Sequence, residues 1–155
     1  MIELTDEMRQ AINNALADRL PIIVSYVDAE GQPSVSLRGS TQVFGSDQLA
    51  IWVRNPNGGV LSAIAVNPKM ALFYRNPGER LAWQFHGRAQ RDDSEDVRRT
   101  VYDNSPEGER NADPDQKGVA VIIDIDRVIA RGEVLMERFD DGTTGAYAAG
   151  DVTTL

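Results

Sequence analysis

The stretch Leu49-Ala-Ile-Trp-Val-Arg-Asn-Pro-Asn-Gly-Gly-Val-Leu-Ser-Ala-Ile-Ala-Val-Asn-Pro68 decides how the chain is read. It starts as a β-strand, passes through a glycine-bearing loop into a short helix, and stops at Asn67-Pro68, since proline disfavours helix in the residue before it. A loop feeding a helix start gathers unpaired backbone N–H groups at the positive end of the helix dipole, and that combination attracts anions. Arg54 stands at the strand end just before the loop, where a guanidinium can hold a phosphate through two parallel hydrogen bonds. The segment points to a phosphate-bearing cofactor without saying which one.

The flanking sequence supplies the rest of the architecture. Thr5 is an N-cap with Asp6 and Glu7 in the positive first turn, and Met8, Ile12, Ala15 and Leu16 follow at helical spacing. Strands are expected over 22–27 and 34–38, with a turn at 28–31, then a short strand at 42–44 and a turn at 45–47 into 49–53. These short links are hairpin connections, so the sheet is antiparallel. After the helix at 59–66 come a strand at 70–75, the turn 76–79 and a long strand over 80–91. There Leu81, Trp83 and Phe85 alternate with Ala82, Gln84 and His86, the period-two pattern of a half-buried strand. Asp92-Asp-Ser94 opens a helix over 95–103. Residues 104–116, polar and with two prolines, read as a surface loop, 119–125 as a buried strand and 127–134 as one further strand. About seven antiparallel strands with short helices make a mainly β fold, a closed or split antiparallel β-barrel. One domain is expected over 1–136, with 137–155 a loose or interface tail.

Composition narrows the function. A chain of 155 residues with 41% apolar content builds one ordinary core. The net charge of −8 argues against nucleic acid, whose backbone requires clustered cations. The absence of cysteine excludes disulfides, thiolate metal sites and thiol redox chemistry, and the single His86 excludes a multi-histidine metal site. No apolar run approaches the roughly 20 residues that span a membrane, and the acidic N-terminus is unlike a secretory signal, so a cytoplasmic protein is expected. Only Lys69 and Lys117 are lysines among sixteen cations. Two explanations stay open: arginine suits planar phosphate recognition, or the genome prefers its codons.

Four pieces, in this order and spacing, carry a resemblance: Pro33-Ser-Val-Ser-Leu-Arg-Gly-Ser40, Ala50-Ile-Trp-Val-Arg54 with Gly58-Gly59, Asn67-Pro-Lys-Met-Ala-Leu-Phe73, and Phe85-His-Gly-Arg-Ala89. Over about residues 4–129 the chain resembles the FMN-binding split-barrel proteins related to pyridoxamine-phosphate oxidase. The resemblance implies that Leu37, Arg38, Gly39 and Ser40 line the flavin ring, and that Trp52, Val53 and Arg54 lie beside the ring and ribityl chain. It implies that Gly58, Gly59, Val60 and Leu61 hold the phosphate. A homodimer with the cofactor in a groove between subunits, and a small-molecule substrate, are implied as well; a dimer would also account for exposed aromatic residues on the strands. Tight FMN binders of this kind often carry an arginine and a lysine where this chain has Gly58-Gly59, which leaves Arg38 and Arg54 to supply the charge. A flavin-contacting glutamine of the oxidase falls near Ala82. The end of the chain lacks the arginine and histidine that grip pyridoxal, so vitamin-B6 oxidation itself is not expected. The implied activity is an FMN-dependent oxidoreductase of other substrate. The alternatives are a deazaflavin-dependent reductase and a non-catalytic module binding flavin or haem.

Each candidate has a structural counterpart reading. Arg38 and Arg54 either meet a phosphate or a ring edge, or pair with some of the 24 carboxylates. Gly58-Gly59 either lets a phosphate approach the backbone or makes an ordinary turn. Ser40 and Thr41 either donate to phosphate or cap a turn. Trp52 and Trp83 belong to the core or an interface unless they stack on the isoalloxazine. His86 reads as a strand or interface histidine. The acidic run 92–96 is a helix N-terminus carrying favourable negative charge, with no metal role. No catalytic side chain is assigned.

Overall fold

The computed structural model describes residues 2–139 and the backbone of a strand at 144–146. The elements in chain order are α1 (Asp6–Asn14), β1 (Ile23–Val27), β2 (Pro33–Leu37), β3 (Gln42–Val43), β4 (Gln48–Val53), α2 (Gly59–Val66), β5 (Lys69–Asn76) and β6 (Leu81–Asp92). They continue as α3 (Glu95–Asn104), α4 (Glu107–Asn111), β7 (Val119–Ala130), β8 (Glu133–Arg138) and β9 (Thr144–Ala146). Neighbouring strands run in the order β2-β1-β5-β6-β7-β4-β3, and every pairing is antiparallel.

The split arises on β7. One edge of this long strand pairs with β6 along most of its length. Its other edge pairs with β4 from Val119 to Asp124 and with β8 from Arg127 to Ala130. The sheet forks there, and the chain forms a mainly antiparallel half-barrel with short helices, the fold class expected from the sequence.

Alternation explains which side of each strand is buried. Leu49, Ile51 and Val53 of β4 and Val119, Val121, Ile123 and Ile125 of β7 point into the barrel core, with Leu72, Tyr74, Trp83 and Phe85 from β5 and β6. A side chain such as Phe85 contributes roughly 1.5–3 kcal/mol when fully buried. The opposite faces of β4 and β7 are buried too: Ala50, Trp52, Ala120 and Ile122 form a second cluster with Val101 and Tyr102 of α3. Met8 and Ile12 of α1 are buried in the barrel core, and Thr5 caps that helix by accepting from the Met8 N–H at 3.2 Å.

Three expectations change. Residues 104–116 are not a plain loop: they contain α4 and the buried Asp113. Residues 119–125 and 127–134 are not separate strands, because β7 runs unbroken to Ala130 and a turn at Arg131-Gly132 starts β8. No aromatic residue of β1 to β8 is exposed: Trp52, Tyr74, Trp83 and Phe85 are buried, in the core reading given for the two tryptophans, and Tyr26 and Phe73 are half-buried. Of the stretch 137–155, Glu137 and Arg138 complete β8 and 144–146 pair with it. The remainder from 140 on lies outside the described residues. No described helix is long and apolar enough to cross a membrane.

Candidate functional site

The end of β2, the turn after it, the end of β4 and the start of α2 meet around a cavity of about 370 Å³. Its lining contains Leu37, Arg38, Gly39, Ser40, Trp52, Val53, Arg54, Gly58, Gly59 and Val60, every expected cofactor residue except Leu61. Leu61 packs instead against the barrel core. Tyr26, Asn55 and Glu109 complete the lining and were not foreseen. Glu109 lies in the polar stretch that reads as a loop, so nothing local in the sequence directs attention to it.

The helix start is open. Gly58, the N-cap of α2, is extended and offers no side-chain cap; its own N–H donates to Asn55 O at 3.0 Å and the Leu61 N–H returns to Gly58 O at 3.2 Å. The N–H groups of Gly59 and Val60 have no partner among the described residues, so both are available to an anion. A Cβ added at Gly59 would meet nothing within 4 Å, so this turn presents bare backbone to whatever approaches.

Two arginines bracket this helix start. Arg54 is half exposed, with only a loose ion pair at 3.8 Å to Glu109. Arg38 donates from Nε to Ser36 Oγ at 3.1 Å and makes no ion pair among the described residues. Other expected donors are committed within the protein. The buried Ser40 hydroxyl accepts from the Trp52 N–H at 2.9 Å and donates to Trp52 O at 3.1 Å, so it ties the turn to β4 and is not aimed at a phosphate. Thr41 Oγ1 donates to Arg38 O at 2.7 Å, the turn-capping reading.

Neither tryptophan is placed to stack on a ligand ring. Trp52 packs edge-on to Tyr102 at 5.2 Å, lies under Arg98, and donates its indole N–H to Asp113 at 2.9 Å. Trp83 stacks on Tyr74 at 5.5 Å inside the core. Asp113 also accepts from the Lys117 and Gly118 N–H groups at 3.0 and 2.9 Å. Burial, the largest influence, pushes its carboxyl pKa up, but these three hydrogen bonds and the Lys117 charge outweigh it and leave the pKa lowered.

A larger groove of about 880 Å³ contains His86, Lys69, Arg88, Arg127 and Arg138. Its arginines are already neutralised: Arg88 grips Asp126 through two bonds of 2.9 and 3.0 Å, Arg127 pairs with Glu137, and Arg138 meets Asp47 at 2.8 Å. His86 Nε2 lies 3.2 Å from Gln84 Oε1. Burial and then the nearby Arg127 charge lower its pKa. Despite its size, this groove offers no open helix start and little free charge, so the smaller cavity is the better anion site. No group of three or more histidine or carboxylate side chains among the described residues is arranged for a metal ion.

The residues present fit FMN at its phosphate end. Two arginines and a glycine-bearing helix start with two N–H groups that have no partner among the described residues line the same cavity, the kind of donor set an anionic phosphate requires. At about 370 Å³ the cavity is near the lower limit of small-molecule clefts, which run from about 300 to 1,000 Å³.

No protein-family model and no curated protein matches the chain. Solved structures do. HupZ of Group A Streptococcus is 20% identical with a TM-score of 0.66, over 84% of this chain and 96% of that one. An FMN-binding protein from Syntrophomonas wolfei is 10% identical with a TM-score of 0.63, over 81% and 84%. A protein from Clostridium acetobutylicum related to general stress protein 26, of the pyridoxinephosphate oxidase family, is 12% identical with a TM-score of 0.59, over 92% and 96%. At these identities the likeness is one of fold, and the fold is that of the FMN-binding split barrels.

Proposed function

We propose that this chain is a member of the pyridoxamine-phosphate-oxidase-like split barrels and binds FMN as a flavin-dependent oxidoreductase. One observation carries the reading: Arg38, Arg54 and the helix start at Gly59 and Val60, whose N–H groups have no partner among the described residues, line a single cavity. In this reading Arg38 and Arg54 hold the phosphate by charge, and the first turn of α2 donates to it from the backbone. The Gly39-Ser40 turn, fixed to β4 by the Ser40 hydroxyl, forms the wall along which the rest of the cofactor lies. Bound FMN supplies hydride chemistry, and the protein contributes binding, orientation and electrostatics. That division suits a cavity whose described lining contains no cysteine or histidine.

A cavity of this size covers only part of such a cofactor, and a second copy of the chain would complete the groove. The exposed β2 residues Val35 and Leu37, 68% and 63% accessible, lie on one face of an edge strand beside the cavity and suit a homodimer contact. The substrate is a small molecule other than a B6 vitamer.

Titration with FMN tests the binding. Saturable binding at micromolar or lower concentration is expected, and Arg54→Ala should weaken it at least about tenfold, the cost of a charge-assisted bidentate contact. Unchanged affinity in Arg54→Ala removes this reading. Rapid mixing of the loaded protein with NADH or NADPH then tests catalysis: reduction followed by reoxidation supports the oxidoreductase. A bound flavin that never cycles indicates a storage or sensing module, and preferential uptake of a deazaflavin indicates the deazaflavin-dependent alternative.

A further inference from the structure

We propose that Glu109 sets the net charge of the phosphate end of the cavity, so that the site prefers a doubly charged phosphomonoester such as FMN less strongly than two arginines alone would and also admits a singly charged phosphodiester. The proposal rests on the reading of this cavity as a phosphate site. Among the described lining residues Arg38 and Arg54 are the cations and Glu109 is the carboxylate, leaving one net positive charge. Glu109 is mostly shielded from solvent, with a side-chain accessibility of 22%, and stands 3.8 Å from Arg54 Nε.

Its place there is built by the surrounding chain. A Cβ on Gly39 would come within 2.6 Å of Glu109 Oε1, so the carboxylate lies directly against the Gly39 backbone. The backbone beside it is anchored: Arg110 donates to Asp103 O and Ser105 O, both at 2.9 Å, and the Tyr102 hydroxyl donates to Arg110 O at 3.1 Å. The Glu109 side chain can therefore turn within the cavity, but its α-carbon is held at the rim.

The chemistry follows from charge. A phosphomonoester carries about −1.5 to −2 at pH 7, because its second ionisation lies near pH 6. A phosphodiester carries a single negative charge at any such pH. Two arginines alone would balance a dianion. The Glu109 carboxylate repels a monoanion once and a dianion about twice as strongly, so it weakens the phosphomonoester more than the phosphodiester and narrows the preference for the dianion. Glu109 thus tunes how strongly the site discriminates among anions by charge, and does not weaken all of them alike. Were it instead an acceptor for a ligand hydroxyl, removing its charge would loosen binding.

The test compares wild-type protein with Glu109→Gln against three ligands sharing one ring system: riboflavin, FMN and riboflavin 4′,5′-cyclic phosphate, with charges of zero, about two and one. Affinities are read from flavin fluorescence at pH 7.5 and fixed ionic strength. Taking about threefold per unit of ligand charge, within the modest range of exposed ion pairs, Glu109→Gln should tighten FMN about tenfold and the cyclic phosphate about threefold. Riboflavin should be unaffected. FMN affinity that is unchanged or weaker in Glu109→Gln overturns the proposal. Inorganic phosphate, followed through the Arg54 Nε–Hε resonance, separates the two readings. If no flavin binds either protein but Glu109→Gln holds phosphate more tightly, the flavin assignment falls and charge tuning stands. If wild type binds FMN and the variant changes neither FMN nor phosphate affinity, charge tuning falls and the flavin assignment stands. If phosphate and flavin bind neither protein, both fall.

Discussion

Replacing Asp113 with alanine should destabilise the protein out of proportion to the few atoms removed. The carboxylate is 7% exposed and accepts three hydrogen bonds: from the Trp52 indole N–H, the Gly118 N–H and the Lys117 N–H. Alanine leaves the first two donors buried without partners, and each such orphan costs about 1–3 kcal/mol. With some relaxation, a loss of about 3 kcal/mol is expected for Asp113→Ala. Asparagine keeps one oxygen, which can serve the Trp52 and Gly118 donors, but turns its amide toward the Lys117 N–H, so Asp113→Asn should lose about 1–2 kcal/mol. Urea unfolding at pH 7, followed by tryptophan fluorescence, measures both. The pH dependence carries a second signature. Because the folded-state pKa lies below the unfolded one, the unfolded chain binds more protons in that interval, and stability rises with pH. The contribution is present above the ordinary aspartate range near pH 4 and is lost as pH falls through the lowered folded value. Asp113→Asn should therefore show a shallower acid limb than wild type. A loss below about 1 kcal/mol in Asp113→Ala would refute the argument that this carboxylate holds the segment bearing α4 against β4.

Three further outcomes are expected. Gly87→Ala should cost about 3 kcal/mol or more, or abolish folding, because its Cβ would lie 2.3 Å from Asp124 O and 2.8 Å from Ile123 Cγ2; thermal unfolding reads this. Val35→Glu combined with Leu37→Glu should convert the proposed homodimer to monomer in sedimentation, with the fold retained by circular dichroism. His86 should titrate below its usual value of 6.5 by NMR. The folded protein resists protonating it, so stability should fall as pH drops from about 6.5 through the lowered value, and His86→Gln should flatten that slope.

Much of this architecture was legible in the sequence, and the failures have definite causes. The helix at 59–66 has the bounds read from its glycine start and Asn-Pro stop, because both signals are local and stereochemical. Where a break between two strands was expected, β7 has a bulge in its pairing with β6. His86 pairs with Arg127 and Gly87 with Ile125, so Asp126 has no register partner on β6. The inward series Val119, Val121, Ile123, Ile125 therefore resumes at Val128, one residue out of phase, and a uniform period cannot follow it. Residues 104–116 look solvated by composition, yet Asp113 is buried because its partners, Trp52 above all, are distant in sequence. At the cavity, Arg54 and the glycines were legible because a strand end and a helix start announce themselves, whereas Arg38 came only from the resemblance. Glu109 was not legible, since its place depends on a tertiary approach to Gly39 that no local pattern encodes. The Ser40 hydroxyl stayed open between phosphate and turn for the same reason: its acceptor and donor both belong to Trp52 on another strand.

The strand order has a consequence for how the molecule folds and opens. β2 and β3 lie at opposite ends of the strand path, yet only residues 38–41 separate them in the chain. The cavity is thus built where the two ends of the sheet are brought together, with Arg38 on one side and Arg54 on the other. Such a site exists only after the most distant strand pairings have formed, which makes it a late product of folding. An anion held by both arginines acts as a clasp across that closure. Its binding should slow amide exchange along both terminal strands together and raise the global unfolding free energy by mass action.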